Sequence, residues 1–259
     1  MQLPIYHVDA FTGGVFGGNP AAICPLERWL TDGTLQAIAA ENNLSQTAFY
    51  VREDGHFHLR WFTPACEVDL CGHATLASAY VLFRELNEPG DVLRFKTRSG
   101  ELAVKRDGER LLMNFPARPA TKVDVHPGLI TSLGETPTEI LGARDYLVRY
   151  DSPDQVRSLK PNMDGLRNLD RFAVIATAVG SDCDFVSRFF APSQGVPEDP
   201  VTGSSHCTLI PYWAGQLNKT TLHARQISAR GGELFCKLQG DRVEIGGYAA
   251  LYLKGQIRF

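Results

Sequence analysis

Two stretches of this chain follow one plan, and that repetition limits the possible fold more than any other feature. The first is Asp69-Leu-Cys-Gly-His-Ala-Thr75, the second Glu198-Asp-Pro-Val-Thr-Gly-Ser-Ser-His206. Each is a short polar loop ending in a glycine and small hydroxyl or imidazole residues, followed by a run that can be helical. Arg60-Trp-Phe-Thr-Pro64 leads into the first and Arg188-Phe-Phe-Ala-Pro192 into the second. Behind them lie matching hairpins: Ser99-Gly-Glu-Leu102 with a turn at Asp107-Gly108, and Gly231-Gly-Glu-Leu234 with a turn at Gly240-Asp241. The same features in the same order point to two copies of one domain, residues 1–117 and 118–259, divided at the linker Pro116-Ala-Arg-Pro-Ala-Thr121.

A chain of 259 residues is long enough for two ordinary domains, each with its own core. Hydrophobic residues make up 44% and charged residues 21%, which argues against disorder. A net charge of -3 leaves no basic footprint for nucleic acid. No apolar run reaches membrane-spanning length, and Met1-Gln-Leu-Pro-Ile-Tyr6 lacks a signal-peptide pattern. The six cysteines are scattered, as suits reduced thiols. The expectation is a soluble cytoplasmic protein with no nucleic-acid or membrane partner.

Local patterns fill in each copy. Ile5 to Phe11 reads as an opening strand, and Phe16-Gly-Gly-Asn-Pro20 as a tight loop before a short strand at Ala21–Cys24. Thr31 caps a helix running to Asn42, with Leu35, Ile38 and Ala39 on one face. Thr47–Val51 and Phe57–Trp61 are strands, the second turning Phe57, Leu59 and Trp61 to the core. Ala74 to Leu86 is apolar nearly all round, which predicts a central helix wrapped by strands. In the second copy Cys207 to Leu217 takes that place, although Pro211 lies five residues in. The reading is an α+β fold: two pseudo-symmetric halves, each a curved, mostly antiparallel sheet around one helix, with the two loops facing each other.

A helix start exposes unpaired N–H groups and a partial positive charge, so it binds anions. Gly72 and Gly203 let backbone approach a ligand closely. Ser204, Ser205 and Thr202 add hydroxyl donors, while His73 and Asp199 can carry protons. The implied partner is a small carboxylate, and the implied task is moving a proton on it.

The chain resembles the phenazine-biosynthesis PhzF-like family, which shares its fold with diaminopimelate epimerase. The resemblance runs from Tyr6 to the C-terminus. It is carried by Asp9-Ala-Phe11, Gly18-Asn-Pro-Ala-Ala22, Asn43-Leu-Ser-Gln-Thr-Ala-Phe49, Trp61-Phe-Thr-Pro64, Cys71-Gly-His-Ala-Thr75, Glu198-Asp-Pro-Val-Thr-Gly-Ser204 and Arg230-Gly-Gly232. It implies two epimerase-like halves, usually in a homodimer, and a cofactor-free isomerisation of a dihydro-hydroxyanthranilate by proton removal and return. Carried over by position, catalytic roles fall on His73, Asp199 and Ser204, beside a substrate-binding set of Gly72, Ala74, Thr202, Gly203 and Ser205. The resemblance also implies a glutamate base in the motif Asn-Leu-Ser-Glu-Thr, where this chain has Gln46. A glutamine amide can bind and orient but has no basic site near neutral pH, and losing a general base costs about 10²–10⁴-fold.

Three readings of Gln46 stand side by side. The protein is an isomerase in which Asp199 or His73 does the proton work; it is a non-catalytic acid-binding or interaction module; or a Glu→Gln exchange has disabled it. A two-cysteine racemase fits less well, because Cys71 lies near the thiol position of the first loop but the second offers Asp199, with Cys207 inside the helix. Zinc lacks its ligand spacing, a serine hydrolase lacks its Gly-x-Ser-x-Gly elbow, and nothing in the sequence calls for a cofactor or metal.

Overall fold

A computed structural model describes residues 1–259. In chain order the elements are β1 (Gln2–Ala10), β2 (Asn19–Leu26), α1 (Asp32–Asn42), β3 (Gln46–Glu53), β4 (His56–Phe62), β5 (Glu67–Val68), α2 (Gly72–Tyr80), β6 (Val92–Thr97), β7 (Gly100–Asp107) and β8 (Arg110–Pro116). There follow α3 (Gly128–Leu133), β9 (Glu139–Gly142), β10 (Tyr146–Arg149), α4 (Pro153–Ser158), α5 (Met163–Arg167), β11 (Val174–Val179), β12 (Phe185–Ala191) and β13 (Val196–Asp199). The chain closes with α6 (Gly203–Leu217), β14 (Thr221–Gln226), β15 (Gly232–Gln239), β16 (Arg242–Gly247) and β17 (Ala249–Arg258). Two compact units result, one from Met1–Asn114 with Gly246–Phe259, the other from Phe115–Ile245.

Within the first unit β2 and β3 run parallel, β3 and β4 antiparallel, β4 and β5 antiparallel, and β4 and β6 parallel. The second unit repeats that order with β10–β11 parallel, β11–β12 and β12–β13 antiparallel, and β12–β14 parallel. The repeat reaches single side chains. Arg60 Nε and Nη2 donate to both oxygens of Glu67 at 2.7 and 2.8 Å, and Arg188 does the same to Glu198 at 2.7 and 2.8 Å. Each guanidinium also lies over a neighbouring ring, Phe62 at 5.2 Å and Phe190 at 4.8 Å. A planar fork paired with a carboxylate holds direction as well as distance. Each therefore pins the short strand, β5 or β13, that delivers the chain to its helix.

Thr31 accepts a bond from the Thr34 N–H and starts α1, whose Leu35, Ile38 and Ala39 are buried as their spacing predicts. They pack with Ala22, Cys24, Phe49 and Phe62. Helix α2 is buried from His73 to Ala79 and packs on β1, β2 and β3; a π turn, Val81–Glu85, extends it. Gly18 (φ 63°) makes the tight turn before β2, where a Cβ would stand 2.1 Å from the Ala10 carbonyl oxygen.

In the second unit α6 is the central helix. Pro211 has no N–H for the Cys207 carbonyl, and that carbonyl instead accepts the Arg118 N–H at 2.8 Å. The proline is thus accommodated rather than helix-breaking. Between β10 and β11 lie two short helices, α4 and α5. Both are too short for periodicity to reveal, although Ser152-Pro-Asp-Gln155 forms a capping box that is legible as such. The largest difference lies at the C-terminus. The sequence repeat puts residues 118–259 in one half, but β17 pairs antiparallel with β1 from Gln2↔Arg258 to Ala10↔Ala249, which places the final strand in the first unit.

Candidate active site: two helix starts

In the first unit the site residues gather where β3 and α2 begin. Gly72, His73 and Ala74 are the first residues of α2, and Cys71, at the N-cap position, makes no side-chain cap. Water or a ligand must then satisfy the first-turn N–H groups. His73 is buried, and desolvation pushes its pKa down to about 3, so the ring is neutral. Its Nε2 lies 3.3 Å from Ser45 Oγ, and its Nδ1 lies 3.4 Å from Cys71 Sγ. Ser45 has closer acceptors for its one proton, Asn19 Oδ1 at 2.9 Å and the Pro20 carbonyl at 3.0 Å. His73 therefore donates from Nε2 to Ser45 and accepts at Nδ1 from the Cys71 thiol. Gln46 is the first residue of β3, and its Oε1 is buried with no hydrogen-bond partner. An orphaned acceptor of this kind costs about 1–3 kcal/mol until a donor reaches it.

In the second unit the residues gather between β13 and α6. Asp199 ends β13, and Thr202 stands at the N-cap position of α6 without capping it. The Thr202 hydroxyl donates instead to Asp199 Oδ2 at 2.5 Å. Gln226 ties the loop from the other side: its Nε2 donates to the Asp199 carbonyl at 2.7 Å, and its Oε1 accepts the Thr202 N–H at 2.8 Å. Ser205 is 1% exposed and gives its proton to the Thr202 carbonyl at 2.8 Å, so its backbone N–H is what it has to offer a ligand. His206 donates from Nδ1 to the same carbonyl at 2.8 Å, and burial lowers its pKa to about 4. The Ser204 hydroxyl accepts from Arg144 at 3.3 Å. Cys207 is buried in the fifth position of α6, and desolvation pushes its thiol up to about 11 despite Arg118 and Arg144 nearby.

Each loop is also fastened from behind by a serine. Ser99 Oγ donates to the Asp69 carbonyl and Ser228 Oγ to the Pro200 carbonyl, both at 2.8 Å. His73, Gly72, Ala74 and Gln46 thus share one unit, and Asp199, Thr202, Gly203, Ser204 and Ser205 the other. Sequence reasoning missed Ser45, Asn19, Arg144, Asp145 and Gln226. Ser45 and Asn19 each sit inside a quoted motif and were within reach; Arg144, Asp145 and Gln226 touch the site only through the fold. No group of three or more His, Cys, Asp or Glu side chains is placed to hold a metal, and no helix is long and apolar enough to cross a membrane.

Among solved structures, the hydroxyproline epimerase of Agrobacterium vitis superposes with a TM-score of 0.64 at 12% identity, over 99% of this chain and 91% of that one. At that identity the likeness concerns the fold alone. The class is that of duplicated α+β proteins with the epimerase-like architecture, a helix start presented by each copy.

The chain belongs to the phenazine biosynthesis-like protein family, whose model matches residues 8–255. A PhzF-family crystal structure from Enterococcus faecalis superposes with a TM-score of 0.98 at 45% identity, each chain covered completely (100% and 100%). An uncharacterized isomerase of Pseudomonas aeruginosa is 53% identical over 259 residues, 100% of this chain and 99% of its own length.

Proposed function

We propose that this protein is a cofactor-independent isomerase that moves a proton on a small cyclic or amino carboxylate. The observation that carries the reading is Asp199, oriented by the Thr202 hydroxyl at 2.5 Å and set just ahead of an uncapped helix start. Backbone N–H groups at such a start favour a carboxylate, and a carboxylate side chain beside them can take a proton from carbon. His73 is neutral and bonded at both nitrogens, so its part is to hold and relay within the Cys71–His73–Ser45 chain. Gln46 Oε1 lacks a donor, which a substrate amino or hydroxyl group would supply.

Exchange of substrate C–H hydrogen for deuterium, followed by mass spectrometry over a panel of cyclic and amino carboxylates, tests this reading. Exchange in the wild type, falling about 10²–10⁴-fold in Asp199→Asn, is the expected outcome. Exchange that survives Asp199→Asn removes Asp199 from the chemistry. A second reading, a binding module, is favoured by Gln46, since an amide cannot serve as base. It gains if exchange appears only in Gln46→Glu, or if neither form exchanges while both bind the acids.

A further inference from the structure

We infer that Arg144 is a positioning residue for Ser204, fixing its hydroxyl as a hydrogen-bond donor toward an anionic group at the start of α6. This role rests on the acid-binding reading proposed above.

The internal repeat singles out the position. Strand registers align Arg60 with Arg188, hence Phe49 with Ala176 and Cys24 with Val148. Counting back along the strands, Pro20 corresponds to Arg144 and Ser45 to Phe172. Counting from the helix N-caps, His73 corresponds to Ser204. In the first unit these positions interact directly: Ser45 bonds both His73 and the Pro20 carbonyl. In the second they interact again with different chemistry. The Arg144 Cζ lies 4.3 Å over the Phe172 ring, and its Nη2 donates to Ser204 Oγ at 3.3 Å. Both copies therefore use one place in the fold to orient the second residue of the helix.

The guanidinium is well held. Arg144 Nε and Nη2 grip the two oxygens of Asp145 at 3.0 and 2.9 Å, and Asp145 is 1% exposed. Fork and ring stacking together leave few rotamers. A guanidinium can only donate, so Ser204 Oγ must accept from it. The hydroxyl then has its own proton to give, and no protein acceptor takes it, whereas neighbouring Ser205 gives its proton to the Thr202 carbonyl. A group docking at Ser204 must be an acceptor, as a carboxylate oxygen is. Because Asp145 neutralises Arg144, the residue acts by orientation and not as a counter-ion.

The test uses 2-aminobenzoate, a stable ring-borne amino carboxylate, titrated calorimetrically into the intact protein and its variants. Arg144→Met and Ser204→Ala should each weaken binding about 5- to 10-fold, the worth of one hydrogen bond. The double variant should bind no more weakly than Ser204→Ala alone. Arg144→Lys should fail to restore binding, because an ammonium keeps the charge but not the fork. Should Arg144→Met unfold by orphaning the buried carboxylate, Arg144→Met/Asp145→Leu replaces it, with a thermal melt as the folding control. Binding by Arg144→Met within twofold of the wild type, full additivity with Ser204→Ala, or rescue by Arg144→Lys would each overturn the inference. Failure of the wild type to bind 2-aminobenzoate is a different result: it removes the acid-binding reading, and the role of Arg144 falls with it.

Discussion

His73 and His206 are interior imidazoles held neutral by desolvation, unopposed at His73 and only partly offset at His206 by its bond to the Thr202 carbonyl. The consequence for stability has a definite sign. An unfolded chain protonates histidine near 6.5, whereas the folded rings wait until about 3 and about 4. Below pH 6.5 the unfolded state binds more protons, so stability falls with pH and keeps falling until the folded values are passed. Between pH 7 and pH 5 the loss should be about 2 kcal/mol per histidine, read from urea melts at the two pH values. His206→Gln should remove about half of that dependence; an unchanged slope would show that the ring is not the source. At this scale the chain was legible where chemistry follows residue type. His73, Asp199 and Gln46 stand out from their motifs, but Gln226 and Asp145 do not, because each acts through a contact more than twenty residues away or through a neighbour's fork.

The elements that matter most for the site are the shortest ones. Strands β5 and β13 have only 2 and 4 residues, too few to hold themselves in place, and the Arg60–Glu67 and Arg188–Glu198 forks do it for them. Arg188 does more than its twin, since Nη1 also donates to the Val156, Arg157 and Leu159 carbonyls and so closes the end of α4. Arg188→Met should therefore cost more stability than Arg60→Met, about 2–4 kcal/mol against about 1–2 kcal/mol, because it leaves a half-buried carboxylate and several carbonyls unpaired. Chemical denaturation of the two variants checks the order; equal losses would remove the extra bonds from the account. The repeated Arg-x-Phe lead-in was visible in the sequence, but its partner was not. The glutamate comes 7 residues later in one copy and 10 in the other, a spacing no local pattern fixes.

Across the whole chain, the return of the C-terminus is the decisive event. Strand β17 covers β1 along nearly its full length, and the buried Leu3, Ile5 and Val8 of β1 depend on that sheet being complete. Deleting residues after Gly247 should unfold the first unit, seen as loss of protected amides in hydrogen exchange and a collapse of soluble yield. A truncated chain with unchanged protection in β1 would refute the dependence. The sequence by itself determined the duplication, the two central helices and the residues at their starts, because apolar periodicity, capping residues and repeated motifs are local and survive in one dimension. Only the tertiary structure decided which unit owns the last strand, what Pro211 leaves for Arg118, and how Arg144 reaches Ser204. The first two depend on backbone hydrogen bonds between segments far apart in the chain, which form between peptide groups alike in every residue except proline. The third is a side-chain contact across 60 residues that exists only once those segments are placed, so local side-chain pattern encodes none of them.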